Sequence, residues 1–266
     1  MNKLFIALGL MGLASTSFAY NGQVEGGYTF RDYDSNAIDT SGLFELKGTF
    51  YFDNVNAKGP LNEAAFLGHN SNIYLGYAYD FTKLNTILGQ TPKDETNLFK
   101  AGIEYFVDQF YVNAELGYGQ ESVKPPKKDY DIFTYRALAG YMPISNLLLA
   151  AGIDGYNTDL PNSDDTRFAI QAKYVAPVSN GQSINLEAGA EFGDIDEVRL
   201  GADYYINTAL SLGVGYESID YGNNTADEDT FLIRSKYFIN PNFAVGGAIG
   251  FGDDLNTYNI NATLRF

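Results

Sequence analysis

The chain has 266 residues, no Cys, no Trp, a single His, and 33 acidic against 17 basic residues, for a net charge of −16. The lack of Cys excludes disulfide frameworks, zinc–thiolate sites, thiol nucleophiles and a Cys-linked lipid anchor. The acidic balance argues against nucleic acid or an anionic surface as partner. With 28 Gly, 21 Tyr and 19 Phe, the composition suits an all-β chain of crowded, twisted strands.

The first 19 residues, MNKLFIALGLMGLASTSFA, read as a secretory signal peptide. Lys3 precedes an apolar stretch from Leu4 to Leu13, and Ser17-Phe18-Ala19 supplies a small-residue cleavage site. The stretch is shorter than the ~20 residues a membrane-spanning helix needs. The expected division is a signal peptide over 1–19 and one mature domain over 20–266, beginning at Tyr20.

Period-two alternation then recurs to the end of the chain. It is read near 22–31, 42–53, 71–80, 97–106, 110–120, 131–142 and 147–156. It continues in RFAIQAKY (167–174), INLEAGAEF (184–192), VRLGADYYI (198–206), LSLGVGY (210–216), 231–239, FAVGGAIGF (243–251) and YNINATLRF (258–266). These are about fourteen strands of roughly ten residues, the length of a tilted transmembrane strand; about twelve to sixteen strands stay open. Short connections such as VDQ, PISN and INPN alternate with longer acidic ones such as DYDSNAID, KPPKKDYD, NTDLPNSDD and DYGNNTADED. The pattern predicts an all-β, transmembrane, antiparallel up-and-down β-barrel with two unlike rims.

A soluble β-sandwich would alternate too, so the placement of charge decides. The apolar faces carry no Asp, Glu, Lys or Arg, and Ser235 is their one hydroxyl apart from Tyr. The polar faces hold Glu45, Lys47, Lys100, Glu104, Glu115, Arg136, Arg167, Lys173, Glu187, Arg199, Asp203, Arg234 and Lys236. An Arg or Lys facing lipid at mid-membrane costs ~2–4 kcal/mol. The expectation is therefore apolar faces toward outer-membrane lipids and those thirteen residues toward an aqueous pore.

A barrel has no free edge, so the last strand is expected to pair with the first, with Phe266 in an interfacial aromatic girdle. The end, with Tyr258, Leu264 and a terminal Phe266, also resembles the C-terminal signal read by the barrel assembly machinery. The segment GPLNEAAFLGHNSNIYLGY (59–77) resembles the early part of the putative porin family of gammaproteobacterial outer membranes. That resemblance implies a small fourteen-stranded barrel and passive passage of small hydrophilic solutes.

Size alone points to some open lumen, since a barrel of eight strands is filled by side chains and one of sixteen to eighteen holds an aqueous channel. Surplus acid in the longer loops (Asp32, Asp34, Asp39, Asp159, Asp164, Asp165, Asp220, Asp227, Glu228, Asp229, Asp253, Asp254) predicts an acidic, cation-favouring outer mouth. The stretch NVNAKGPLNEAAFLG (54–68) falls on the periplasmic side, where connections should be short. It carries helix formers after a Pro and is expected to fold across the lower mouth as a constriction turn, with Leu61, Phe66 and Leu67 packed inside.

An enzyme is the rival from another class. His69 is the lone His and lies beside that turn, so a Ser–His–acid group or a multi-His metal site lacks its parts. No catalytic residue, cofactor or metal is expected. A structural or adhesive barrel with little or no flux is the alternative reading, and the oligomeric state is left open.

Overall fold

The computed structural model describes residues 19–86, 90–159, 163–179, 181–222 and 227–266. The signal peptide expected over 1–19 lies, apart from Ala19, outside the described residues. The described strands are β1 (Ala19–Tyr33), β2 (Ile38–Asn56), β3 (Asn72–Leu84), β4 (Lys93–Val107), β5 (Phe110–Lys124), β6 (Lys128–Ile144) and β7 (Leu147–Thr158). They continue with β8 (Asp165–Pro177), β9 (Ser183–Phe192), β10 (Asp196–Tyr205), β11 (Leu210–Asp220), β12 (Glu228–Asn240), β13 (Phe243–Gly252) and β14 (Leu255–Arg265). Between β2 and β3 a single 3-10 turn (Leu61–Glu63) runs into one helical turn, α1 (Ala64–Leu67).

Each strand pairs antiparallel with its chain neighbours, and β1 pairs with β14 from Gln23↔Arg265 to Tyr33↔Leu255, which closes the barrel. The fourteen expected strands are present, and closure removes both sheet edges. The chain end is held as the sequence pattern required. The Phe266 carbonyl accepts hydrogen bonds from the Asn21 and Gly22 amides (3.0 and 2.9 Å), and the Phe266 amide donates to the Gly22 carbonyl (3.0 Å). Its ring lies over Gly22, where an added Cβ would come within 2.4 Å of a ring carbon. A side chain at that position would displace the terminal ring.

Strict alternation gives the wall two unlike surfaces. Leu75, Phe99, Leu116 and Ile260 on the outside are 69, 62, 58 and 71% exposed, values no soluble core would leave. Inside, buried apolar side chains of the described residues gather in two clusters toward the lower end. One joins Tyr111, Leu138, Met142, Leu148, Ala150 and Ala169 with Phe66 and Phe106; the other joins Tyr20, Tyr51, Val55 and Ala64.

The strands are longer than the periodicity implied, from 10 to 19 residues. Most of the extra length lies at the loop end. There β4 begins at Lys93 and β5 runs on to Lys124, so only Pro125, Pro126 and Lys127 connect it to β6. Above the lipid both faces of a strand meet water. The alternation fades there while cross-strand hydrogen bonding continues.

Candidate functional site: the lumen and its lower turn

Two chambers occupy the barrel interior, with cavity volumes of about 820 and 540 Å³. Lys47, Asn62, Glu63, Glu187 and Arg234 border both and divide one from the other. All thirteen residues expected to line a pore border these chambers. Lys100, Glu104, Glu115, Arg136, Arg167, Lys173 and Arg199 face the larger chamber, Glu45, Asp203 and Lys236 the smaller, and Lys47, Glu187 and Arg234 both. The larger chamber is bordered by seven acidic and seven basic side chains, and the smaller by five acidic and three basic.

The charges are organised by strand register. Arg136, Asp154 and Arg167 stand directly opposite one another across β6, β7 and β8. Arg136 Nε lies 2.6 Å from Asp154 Oδ2, and Arg167 Nη2 lies 2.9 Å from Asp154 Oδ1. Glu191 of β9 then gathers three guanidinium groups: its Oε1 lies 2.6 Å from Arg136 and 2.8 Å from Arg199, and its Oε2 2.8 Å from Arg167. Its side chain is only 4% exposed, so three cations are what compensate its desolvation. A second group links Arg234 to Asp203 by two hydrogen bonds (2.9 and 2.8 Å) and Lys173 to Glu187 (2.8 Å). Lys100 pairs with Glu115 and Lys236 with Glu25, both at 3.1 Å.

The segment between β2 and β3 crosses the lower end of this lumen and is tied to the wall at several points. The Leu61 amide donates to the Thr208 carbonyl (2.8 Å), and Arg265 Nη1 donates to the Leu61 carbonyl (2.9 Å). Glu63 is buried. It accepts the Tyr205 hydroxyl and pairs with Lys173 at 2.8 Å. Lys173 also lies over the Phe66 ring, 5.3 Å from its centroid. His69 sits at φ +52° just past α1, stacks on Phe106 (5.7 Å) and meets the Ser145 carbonyl through Nε2 (2.7 Å). Arg265 is itself enclosed, with Tyr20 and Phe238 each 4.4 Å from its guanidinium and Gln23 accepting from its Nε (2.6 Å).

Of the three apolar residues expected to seat this segment, Phe66 packs against the larger apolar cluster, while Leu67 lies near Gly59. The sequence reading missed the polar anchors Glu63, Tyr205 and Arg265. Parity already put Arg265 on the inward face of the last strand; nothing local marks Glu63 as buried. At the loop end Asp165 turns inward and accepts the Asp194 and Ile195 amides (3.2 and 3.4 Å), while Asp39 pairs with Lys83 (2.6 Å). Part of the expected mouth acid is thus engaged in the rim itself. Burial, with Glu228 beside it, pushes the Tyr221 hydroxyl up to about 12, and it donates to Glu228 at 3.0 Å.

A family model described as a putative general bacterial porin matches residues 1–153 and 155–266. The chain belongs to that family. The crystal structure of the outer membrane protein Omp33 of Acinetobacter baumannii shares the fold, with a TM-score of 0.67 at 24% identity over 94% of this chain and 100% of that one. CymD, a monoaromatic hydrocarbon channel, superposes with a TM-score of 0.61 at 9% identity, over 93% of this chain and 89% of its own. A Pseudomonas aeruginosa FadL homologue gives 0.56 at 11% identity, over 93 and 90%. No curated protein matches the chain. The protein is an outer-membrane β-barrel of the porin class, and its place in that membrane agrees with the exposed apolar belt.

Proposed function

We propose that this porin passes small hydrophilic solutes by passive diffusion, favours cations, and is restricted by the turn between β2 and β3. The observation that carries the reading is the pair of charge-lined chambers, the smaller with five acids against three bases. Loop-end acids such as Asp34, Asp253 and Asp254 add to the same field. The thirteen lumen residues named above are the proposed pore lining. Restriction is supported by the ties that Leu61, Glu63 and His69 make to β8, β10, β14 and the turns at Ser145 and Thr208. His69, the lone imidazole, is engaged with Ser145 and Phe106, which supports a protein without catalysis. Cleavage after Ala19, delivery through the barrel assembly machinery by way of Tyr258, Leu264 and Phe266, and a surrounding shell of outer-membrane lipids complete the proposal.

The test is the purified protein in planar bilayers. A reversal potential of cation sign across a salt gradient is expected, and anion preference would overturn the selectivity. Deleting 58–67 should raise single-channel conductance; an unchanged value would remove the restriction. The same anchoring across the lower end favours a second reading, a structural or adhesive barrel with little flux. Solute uptake by proteoliposomes separates the two, since a barrel without flux shows none.

A further inference from the structure

Cations on the outer surface of the barrel are not scattered. Among the described residues, Lys83, Lys93 and Lys124 are the only Lys or Arg on outward strand positions. All three belong to one rung: Lys83 is directly opposite Lys93, and Lys93 directly opposite Lys124. Like charges in direct cross-strand register are unfavourable. Two carboxylates relieve part of the repulsion. Glu95 lies 2.7 Å from Lys93 and 3.0 Å from Lys124, and Asp39 lies 2.6 Å from Lys83. Three ammonium groups thus share two acids, and each keeps N–H donors free, with side chains 44, 34 and 44% exposed. Lys127 stands beside them at the β5–β6 connection, where Asp129 pairs with it (2.8 Å), while Lys128 is directly opposite Val123 on the inward face of β6. Asp131, on the outward face of β6, accepts from Gln120 (3.4 Å), two residues nearer the membrane than Ser122.

The rest of the loop-end rim has the opposite sign. Asp32, Asp34, Asp159, Asp194, Asp220, Asp227, Asp229, Asp253 and Asp254 surround it, with no Lys or Arg in the described connections between β7 and β14 at that end. The basic sector is therefore a local exception on a chain of net charge −16. Its height is set by the strands. The aromatic row Tyr77, Phe99 and Tyr118 lies six residues below the lysine rung. At 3.3 Å per residue and a tilt near 40° that is roughly 15 Å of height. Lysine side chains can cover part of that drop by reaching down along the wall. Tyr79 and Phe81 fill the outward face of β3 between the two levels, with Lys93 Nζ 3.3 Å from the Tyr79 hydroxyl and 5.5 Å from the Phe81 ring centre. Apolar rings stand at the depth of acyl chains and sugars, and ammonium groups above them.

We infer that the sector formed by Lys83, Lys93, Lys124 and Lys127 is a docking site for the phosphorylated headgroup of the outer-leaflet glycolipid. The rung offers a row of N–H donors to phosphate oxygens, and the tyrosine and phenylalanine beneath it offer a surface to the sugar and the chain tops. The site does not depend on conduction and stands or falls separately from the channel reading.

Native mass spectrometry of the full-length protein in detergent tests it, with bis-phosphorylated lipid A as probe. Retention should fall by about fivefold for each lysine replaced, to about a hundredfold in K83Q/K93Q/K124Q, and return in K83R/K93R/K124R. Dephosphorylated lipid A and phosphatidylglycerol should both be retained far less by the wild type, and millimolar inorganic phosphate should not displace the lipid. Equal retention by the glutamine variant, or of either control lipid, would overturn the site; full displacement by inorganic phosphate would reassign it to free phosphate. Heat-modifiable mobility on gels reports folding of each variant. K127Q, outside the three-lysine rung, gives a second measurement, with a smaller loss expected and no loss counting against the site.

Discussion

On β10, Val198, Leu200, Ala202 and Tyr204 look out of the barrel, while Arg199, Asp203 and Tyr205 one residue away look in. The two faces share a backbone but are stabilised by different physics. Outside, stability comes from keeping apolar surface in lipid; neighbours are interchangeable and no partner has a fixed position. Inside, many of the charges depend on a particular partner at 2.6–3.1 Å, as Glu191 does on Arg136 and Lys100 on Glu115. The outer face should therefore respond to what kind of group is placed there, and the inner face to which partner is missing.

The largest effect should follow removal of an inner hub. Glu191→Ala leaves Arg136, Arg167 and Arg199 crowded around a vacated position, and a loss of about 3–5 kcal/mol is expected in unfolding from lipid vesicles. A loss no larger than that of an exposed salt bridge would show that lumen water already screens the cluster. Next comes charge on the outside. Leu200→Arg or Ile184→Arg should cost about 2–4 kcal/mol in bilayers, and unchanged folding would break the contrast between the faces. A milder inner change sharpens it: Glu63→Gln keeps a hydrogen-bond partner for Tyr205 but drops the charge facing Lys173. Single-channel records should then show more frequent open events, with the barrel still heat-modifiable on gels. The smallest effect is expected at Ser235, which faces outward and donates to the Ser211 carbonyl (2.9 Å); Ser235→Ala should change stability by only about 0.5 kcal/mol or less.

Much of this contrast was legible in the sequence because parity is a strict rule in a strand. Once Leu200 is assigned outward, Arg199 and Gly201 must point inward, and a closed barrel leaves nowhere else for the pattern to fit. Parity does not say who pairs with whom. Arg136 and Glu191 are 55 residues apart and meet only because the barrel curves β6 and β9 toward each other. The lower turn was harder to read for a related reason. Leu61, Phe66 and Leu67 advertise burial by hydrophobicity, but the side chain that fixes the segment is Glu63, buried against Tyr205 and Lys173 from distant strands. Strand ends were missed where Lys93, Glu95 and Asn97 make the outward face as polar as the inward one.

Inward glycines are also better explained by structure than by pattern. Gly102 accommodates the Tyr74 ring, with an added Cβ only 2.3 Å from ring atoms, and Gly201 accommodates the Arg234 guanidinium. At these two positions the missing side chain makes room for a neighbour's and does not widen the lumen.

Because the chain has no Cys, single cysteines can be placed on one strand without background labelling. At 198, 199, 200 and 201 of β10, in protein reconstituted into vesicles, a small water-soluble thiol reagent should modify 199 and 201, while fluorophores at 198 and 200 should be quenched by brominated acyl chains. Loss of that alternation, or water-side labelling of 198 and 200, would contradict lipid outside and water inside.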